Sequence, residues 1–568
     1  MNSDLQTLLD QGQLAQREGR VADAEQWLRQ AAAAAPRQPQ PWFSLGDVLE
    51  DLQRWPEAEA CYARTAALAP QVAVVHYRHA SMLRQLGRPA EALSAIRRAL
   101  AIDAGAADAL QLKAMLEEES GALAAALSTL DQALDLAPQR AALHHNRAVV
   151  LQRLQRHAEA LAAHLQAQAL GLNVADAHYN HGNSLQSLGR TAEAVAAYRR
   201  ALALAPQHGL ALYDLARLRW ALGDADFTAE LDAAALQSPA ASGIKAQLLL
   251  KAERPAEAAE AYRQALLGLP AASGYHDGLG LALSALGQHA AALAAHAQAV
   301  ALAPRDATVH SNHAHSLLAA GDPAAAAAQA EAALALAPDD QHALALLGLA
   351  WRQLGDPRER WLNDETRFVR AFDLPPPDGF ADMAAFNLAL AAELGALHTD
   401  RRAPVDQTLR HGTQTRGNLL DQGCPLVERL KPQLAAAISR YIAELPEDAS
   451  HPLLRRRSAH WHFTDSWSSR LTSGGFHTNH VHTHGWISAS YYVALPPAVS
   501  ADGHAGWIQF GEPDMALGLS ARLRIQPAVG RLVLFPSSMW HGTVPFEVQD
   551  EVGAVRLTIA FDVKPGAA

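Results

Sequence analysis

Along the first 360 residues, apolar positions recur at the three-and-four spacing of helices and are interrupted at fixed intervals by short polar turns. Pro36, Pro70, Pro138, Pro206, Pro270, Pro304 and Pro338 close segments of the A-L-x-L-A-P kind, mostly 34 or 68 residues apart. Ala104 and Leu172 stand where a proline would keep the beat. Turn glycines form a second register with the same period, at Gly87, Gly121, Gly189, Gly223, Gly287, Gly321 and Gly355. One unit, Ala177–Pro206, shows the logic. Gly189 can take the left-handed conformation that ends a first helix. Ala192 and Ala194 are small where a second helix must come close, Ala201 and Leu202 belong to its buried face, and Pro206 stops it. The pattern predicts about ten stacked helix pairs over residues 5–360. The stretch from Gly209 to Pro239 is one residue short of the pattern, so a distorted unit is expected there.

After Asp356 the period fails, and Pro375, Pro376 and Pro377 form a break that no helix crosses. The pattern then predicts a helix from Phe380 to about His398, a polar strand or loop over 404–420, and an amphipathic helix from about Pro425 to Leu445. From His460 the composition turns β-branched and aromatic. SWSSRL, WISASYYVAL, GWIQFG, RLVLFP and VRLTIAFDV read as five strands, which implies a sandwich or jelly roll with the preceding helices on one face. The expected organisation is therefore a repeat array over 1–360, connecting helices over 361–459 and a β core over 460–568.

Composition narrows the function. The net charge of −11 is modest, and the arginines are scattered among acids, so the electrostatic footprint of a nucleic-acid-binding protein is missing. Cys61 and Cys424 lie too far apart to suggest a disulfide framework, which fits a reducing cytoplasm. The N-terminal stretch lacks the basic start and apolar run of a signal peptide, and no apolar run is long enough to span a membrane.

The chemistry concentrates in GGFHTNHVHTHGW, which holds His477, His480, His482 and His484. In an extended segment His480 and His482 point to the same face. His541 follows 61 residues after His480, and Arg556 another 15 residues on, at the start of the last strand. Two close ligands, one distant ligand and a cation on the next strand form the layout of a facial metal site beside a carboxylate-binding group.

The Ala177–Pro206 unit resembles the tetratricopeptide repeat, which implies an all-α superhelical solenoid whose concave groove takes a protein or peptide. The segments DQTLRHGTQT, SWSSRL, GGFHTNHVHTHGWISASYYVALP, GWIQFGEP, RLVLFPSSMWHGTVPF and RLTIAFDV resemble, in order and spacing, the Fe(II)- and 2-oxoglutarate-dependent oxygenases of the prolyl-hydroxylase-like branch. The resemblance implies an α+β domain with a double-stranded β-helix (jelly-roll) core, Fe(II) as metal and 2-oxoglutarate as co-substrate. It also implies oxidative decarboxylation coupled to hydroxylation of a C–H bond, here of a polypeptide recruited by the repeats.

By the same resemblance His480 is the first ligand, His541 the distal ligand, and Arg556 the partner of the far carboxylate of 2-oxoglutarate. His477 stands where the pattern has a co-substrate-contacting Tyr, and Ser488 where it has a hydroxyl residue. The acidic ligand maps to His482, the main departure from the pattern. That change leaves open a three-histidine site, a two-ligand site with His482 behind it or His484 in reserve, and a silent β domain on a binding scaffold. Trp467, Trp486, Trp507 and Trp540 read mainly as core, with Trp486 and Trp540 also placed to wall a pocket. Arg410, Gln414 and Arg470 are split between pocket and sheet edge. His144 and His145 read as groove or surface residues, and Cys424 as structural.

Overall fold

The computed structural model describes residues 3–400, 402–405, 407–499, 503–548 and 554–566; Asp406, which opens the first oxygenase-like segment, lies outside them. The chain divides into two compact units, residues 1–204 and 205–568.

The first unit is six antiparallel helix pairs, from Ser3–Arg17 with Val21–Ala34 to Ala175–Ser187 with Thr191–Leu204. Each pair turns on a residue at positive φ, Gly189 at 70° among them, with Gln53 and Gln155 taking that role in two turns. Ala194, Ala197, Tyr198, Ala201 and Leu202 form the buried stripe of the last helix. Ala192 faces solvent, because it lies two residues, about 200° of helical turn, from Ala194. Gly182 gives the room: a Cβ there would sit 2.6 Å from the Tyr198 ring. Histidines also serve the turns. His76 and His144 place Nε2 at 2.9 and 2.8 Å from the carbonyls of Pro70 and Pro138, six residues earlier. His144 is thus tied to its own repeat, while His145 lies against His164, ring centroids 5.6 Å apart.

The second unit opens with four more pairs, between Gly209 and Leu336, and a final helix, Gln341–Leu354, capped by left-handed Gly355. The first of these pairs is distorted as expected, but more strongly. Its second helix is seven residues, Ala229–Ala235, and the interval between turn residues Gly223 and Glu253 contracts to 30 rather than by a single residue.

Among the described residues nine strands follow: β1 (Arg370–Asp373), β2 (Leu409–Gln414), β3 (Trp461–His477), β4 (Ile487–Ala494), β5 (Ile508–Phe510), β6 (Leu523–Ile525), β7 (Arg531–Pro536), β8 (His541–Thr543) and β9 (Arg556–Pro565). They form two antiparallel sheets, ordered β1-β7-β4-β9-β3-β2 and β6-β5-β8. The five expected strands are present, β3 much lengthened, and 404–420 resolves into β2 followed by a short 3₁₀ turn. Strand alternation gives the large sheet two faces. Ile487, Ala489 and Tyr491 of β4 and Leu557, Ile559, Phe561 and Val563 of β9 share a core with Phe386, Leu390, Leu430, Leu434 and Ile438 of the helices Met383–Gly395 and Pro425–Glu444. The opposite face carries Trp467 and Ser469 of β3, Ser488 and Tyr492 of β4, and Arg556, Thr558 and Asp562 of β9.

The last repeats pack directly on the β domain. Leu344, Leu347 and Trp351 share a cluster with buried Trp540 and partly buried Val481 and Leu517. Arg352 donates to the Ser520 carbonyl at 2.9 Å, and Trp220 Nε1 to the Ala403 carbonyl at 3.0 Å. No helix of the described residues is long and apolar enough to cross a membrane.

Buried histidines make stability depend on pH, and His398 is one of several, with His164, His313 and His342 also held down by burial. His398 lies between the hydroxyls of Thr413 (2.8 Å) and Ser468 (3.1 Å). Burial, with Arg470 alongside, holds its imidazole down at about 4. An unfolded histidine takes its proton near ~6.5, so between that pH and 4 the unfolded chain binds more protons and the fold loses stability as pH falls. His398→Gln is expected to flatten the fall of Tm across this window, measured from pH 7 to pH 4. An unchanged slope would show that His398 does not contribute to it.

Candidate metal centre

Three histidines from separate backbone positions meet on the site face. His480 follows β3 and forms an isolated antiparallel bridge with His541, the first residue of β8. Each accepts the other's backbone N–H, at 2.9 and 3.0 Å. The His482 N–H donates to the Ser537 carbonyl at 2.9 Å, which brings the third imidazole beside them. One ligand atom from each of His480, His482 and His541 lies within 4.8 Å of the other two. Ring centroids are 4.3 to 5.2 Å apart.

Hydrogen bonds fix the tautomers. His480 Nδ1 lies 2.7 Å from the Thr478 carbonyl and His541 Nδ1 lies 3.0 Å from the Met539 carbonyl. A carbonyl only accepts, so both Nδ1 atoms carry hydrogen and both Nε2 atoms keep a lone pair. His482 Nδ1 donates to Asp562 Oδ1 at 2.6 Å, which leaves Nε2 as the ring nitrogen available to a metal. Burial holds His480 down to about 3 and His541 well below the ordinary imidazole range, and the neighbouring rings push the same way. The His480 and His541 imidazoles are therefore neutral at neutral pH, the form that ligates a metal. Three converging imidazoles, each with its Nδ1 already hydrogen-bonded, form a donor set that fits a divalent transition metal.

Arg556 is 2% exposed on β9 and donates from Nε to the Gly506 carbonyl at 3.0 Å; its guanidinium lies 5.1 Å from the Tyr492 ring centroid. No Asp or Glu among the described residues pairs with it, and burial lowers its pKa. On the same face the Ser469 hydroxyl and the Gln414 Oε1 are buried without a hydrogen-bond partner. Register places them close by, since Leu471 pairs with Arg556 while Ser469 pairs with Thr558 and Gln414. A buried cation without an acid partner, beside orphaned polar atoms, could receive a small carboxylate.

The remaining sequence candidates separate clearly. His477 closes β3 with its ring 6.1 Å from His480 and its Nδ1 3.3 Å from the Thr408 hydroxyl, outside the three-histidine group. Ser488 is fully buried and donates to Asp562 Oδ1 at 2.6 Å, which puts it behind His482. His484 is exposed and outside the group, so it does not act as a reserve ligand. Arg470 shares the opposite face of β3 with Ser468 and His398, which removes it from the pocket. Arg410 pairs with Glu253 of the repeats, Nε to Oε1 at 3.0 Å. Trp486 is core, its Nε1 donating to the Leu453 carbonyl, whereas Trp467 walls the site, 5.6 Å from the His482 ring. Sequence reasoning passed over Asp562. The signal available was its parity: it stands six residues after Arg556 on one strand, and therefore on one face.

Comparison with protein families matches residues 465–562 to the family described as "Putative 2OG-Fe(II) oxygenase". Residues 9–73, 43–109, 77–141, 175–208 and 311–359 match tetratricopeptide repeats. No curated protein matches the chain. Similar solved structures include the MamA protein (17% identity, 30% of this chain and 93% of that one, TM-score 0.29). Others are YrrB, described as a TPR protein with an unusual peptide-binding site (19%, 33% and 96%, 0.29), and yeast Tom70 (15%, 64% and 97%, 0.30). The chain thus joins tetratricopeptide repeats to a C-terminal domain that matches the 2OG-Fe(II) oxygenase family model.

Proposed function

We propose that this protein is an Fe(II)- and 2-oxoglutarate-dependent dioxygenase that hydroxylates a polypeptide brought to it by its repeats. The observation that carries the reading is the combination of three converging imidazoles and a buried Arg556 that no acid among the described residues neutralises. His480, His482 and His541 would hold the metal. Arg556 would bind the far carboxylate of 2-oxoglutarate bidentately, with Ser469 and Gln414 offering further polar contacts and His477, which feels both His480 and Arg556 electrostatically, beside them. When bound, Fe(II) and 2-oxoglutarate would supply, with dioxygen as the oxidant, the oxidative decarboxylation to succinate and carbon dioxide, one oxygen atom entering succinate and the other a substrate C–H bond. The protein holds the co-substrate's orientation and excludes water. Trp467, Phe510 and Phe535 wall the triad, the two phenylalanine rings 6.3 and 4.5 Å from His541.

A polypeptide substrate is supported by the way the last repeats meet the site. Trp540 and Val481, each adjacent in sequence to triad members, pack on the helix Gln341–Leu354. Residues 1–360 would then be the recruiting array, 361–459 the supporting helices and 460–568 a jelly-roll core. The free cysteines Cys61 and Cys424 suit a cytoplasmic location.

Full-length protein supplied with Fe(II), 2-oxoglutarate, ascorbate and air is expected to release succinate slowly even without its substrate. Succinate at the level of a metal-free control, with metal bound, would sink the enzyme reading and leave a binding scaffold.

A further inference from the structure

Asp562 stands outside the proposed ligand set, yet among the described residues it is the acid that a triad imidazole hydrogen-bonds. It is 4% exposed, and no Lys or Arg among the described residues forms a salt bridge with it. Its Oδ1 accepts from His482 Nδ1 and from the Ser488 hydroxyl, both at 2.6 Å, and Ser488 in turn lies 2.8 Å from the Ser537 hydroxyl. The fold enforces this arrangement. Ser488 and Asp562 are direct partners in the β4–β9 register. Gly485 lets the backbone pass over them, since a Cβ there would collide with the Ser537 hydroxyl and lie 3.1 Å from Asp562 Cγ.

Resting on the reading of His482 as a metal ligand, we propose that Asp562 is a positioning residue. It holds the His482 imidazole and carries, one hydrogen bond removed, the negative charge that an acidic ligand at position 482 would bring directly to the metal.

Charge favours this arrangement. Three neutral imidazoles around a divalent ion would leave its full charge in a buried site. A divalent ion, a dianionic co-substrate, the Arg556 cation and the Asp562 anion together sum to zero. The support is also unequal in the way the proposal requires: His480 and His541 lean on neutral carbonyls, and only His482 leans on a carboxylate. A carboxylate partner raises the basicity of a ligating imidazole as well as fixing its ring. The acid absent from the ligand position has in effect moved to the adjacent strand of the sheet.

The test is Co(II) binding to the full chain, measured by competition with a chromophoric chelator, for wild type, Asp562→Asn and His541→Ala. Asp562→Asn keeps the size and an accepting oxygen but removes the charge. It is expected to weaken Co(II) roughly 10–100-fold while the Tm of the metal-free protein does not fall. Wild-type binding that is unchanged in Asp562→Asn overturns the proposal and leaves the metal centre standing. Wild-type binding that survives His541→Ala overturns the metal centre itself, and the proposal with it. A measurement that needs no variant guards against misfolding: in the Zn(II)-loaded wild type, the Nδ1 proton of His482 should resonate furthest downfield of the three ligand imidazoles. A His482 proton grouped with those of His480 and His541 would contradict a charged partner.

Discussion

His541→Ala is expected to lower the affinity of the protein for Fe(II) by at least about a hundredfold, because changes in the hydrogen-bonding shell alone already cost 10–100-fold in such sites and this change removes a ligand outright. The prediction is specific because the fold should survive it. His541 is held by main-chain hydrogen bonds to His480, which alanine retains, and its side-chain hydrogen bond is to a carbonyl only two residues away. The removed imidazole leaves a gap against Phe510 and Phe535, so some loss of Tm will accompany the loss of metal. His484→Ala provides the contrast, since that exposed ring lies outside the triad. Its affinity should stay within about twofold of wild type, a change worth ~0.4 kcal/mol. Metal binding lost equally in both variants would point to a general histidine cluster rather than a built centre.

Arg556→Met is expected to move stability and ligand binding in opposite directions. The guanidinium is buried without an acid partner, and replacing such a cation by an apolar side chain of similar length removes a desolvation cost. The ligand-free variant should therefore melt no lower than wild type, and plausible gains reach ~1–4 kcal/mol. Binding of 2-oxoglutarate should fall by at least ~30-fold, because truncating one partner of a buried, hydrogen-bonded charge pair costs about 2–5 kcal/mol. Thermal melts with and without 2-oxoglutarate read both quantities together. A destabilised variant that still gains stability from 2-oxoglutarate would show that Arg556 is a structural cation and that the co-substrate sits elsewhere.

How far the sequence reveals this molecule depends on the length over which each signal repeats. The helical period is written many times, so the pairs and their turn glycines are legible. The contraction between Gly223 and Glu253 is a single event with no second copy to expose its true size. Strands such as β6 and β8, three residues each, are too short for alternation to show, and their pairing is set by distant partners. The histidine triad was legible because two members are neighbours and the third follows a recognisable strand. Asp562 was not, because an acid within an apolar strand carries no local mark of what faces it. Arg470 illustrates the reverse: its segment was read correctly as a strand, but sequence does not say which face of that strand meets the site, and the structure gives that face to Ser469 and Leu471.

The most direct test of the central claim is an anaerobic titration of the full-length protein with Fe(II) in the presence of 2-oxoglutarate, followed in the visible range and repeated with His541→Ala and Arg556→Met. The account predicts a charge-transfer band in the wild type that is absent from His541→Ala and needs much more 2-oxoglutarate in Arg556→Met. No band in the wild type, or one that all three proteins share, would contradict it.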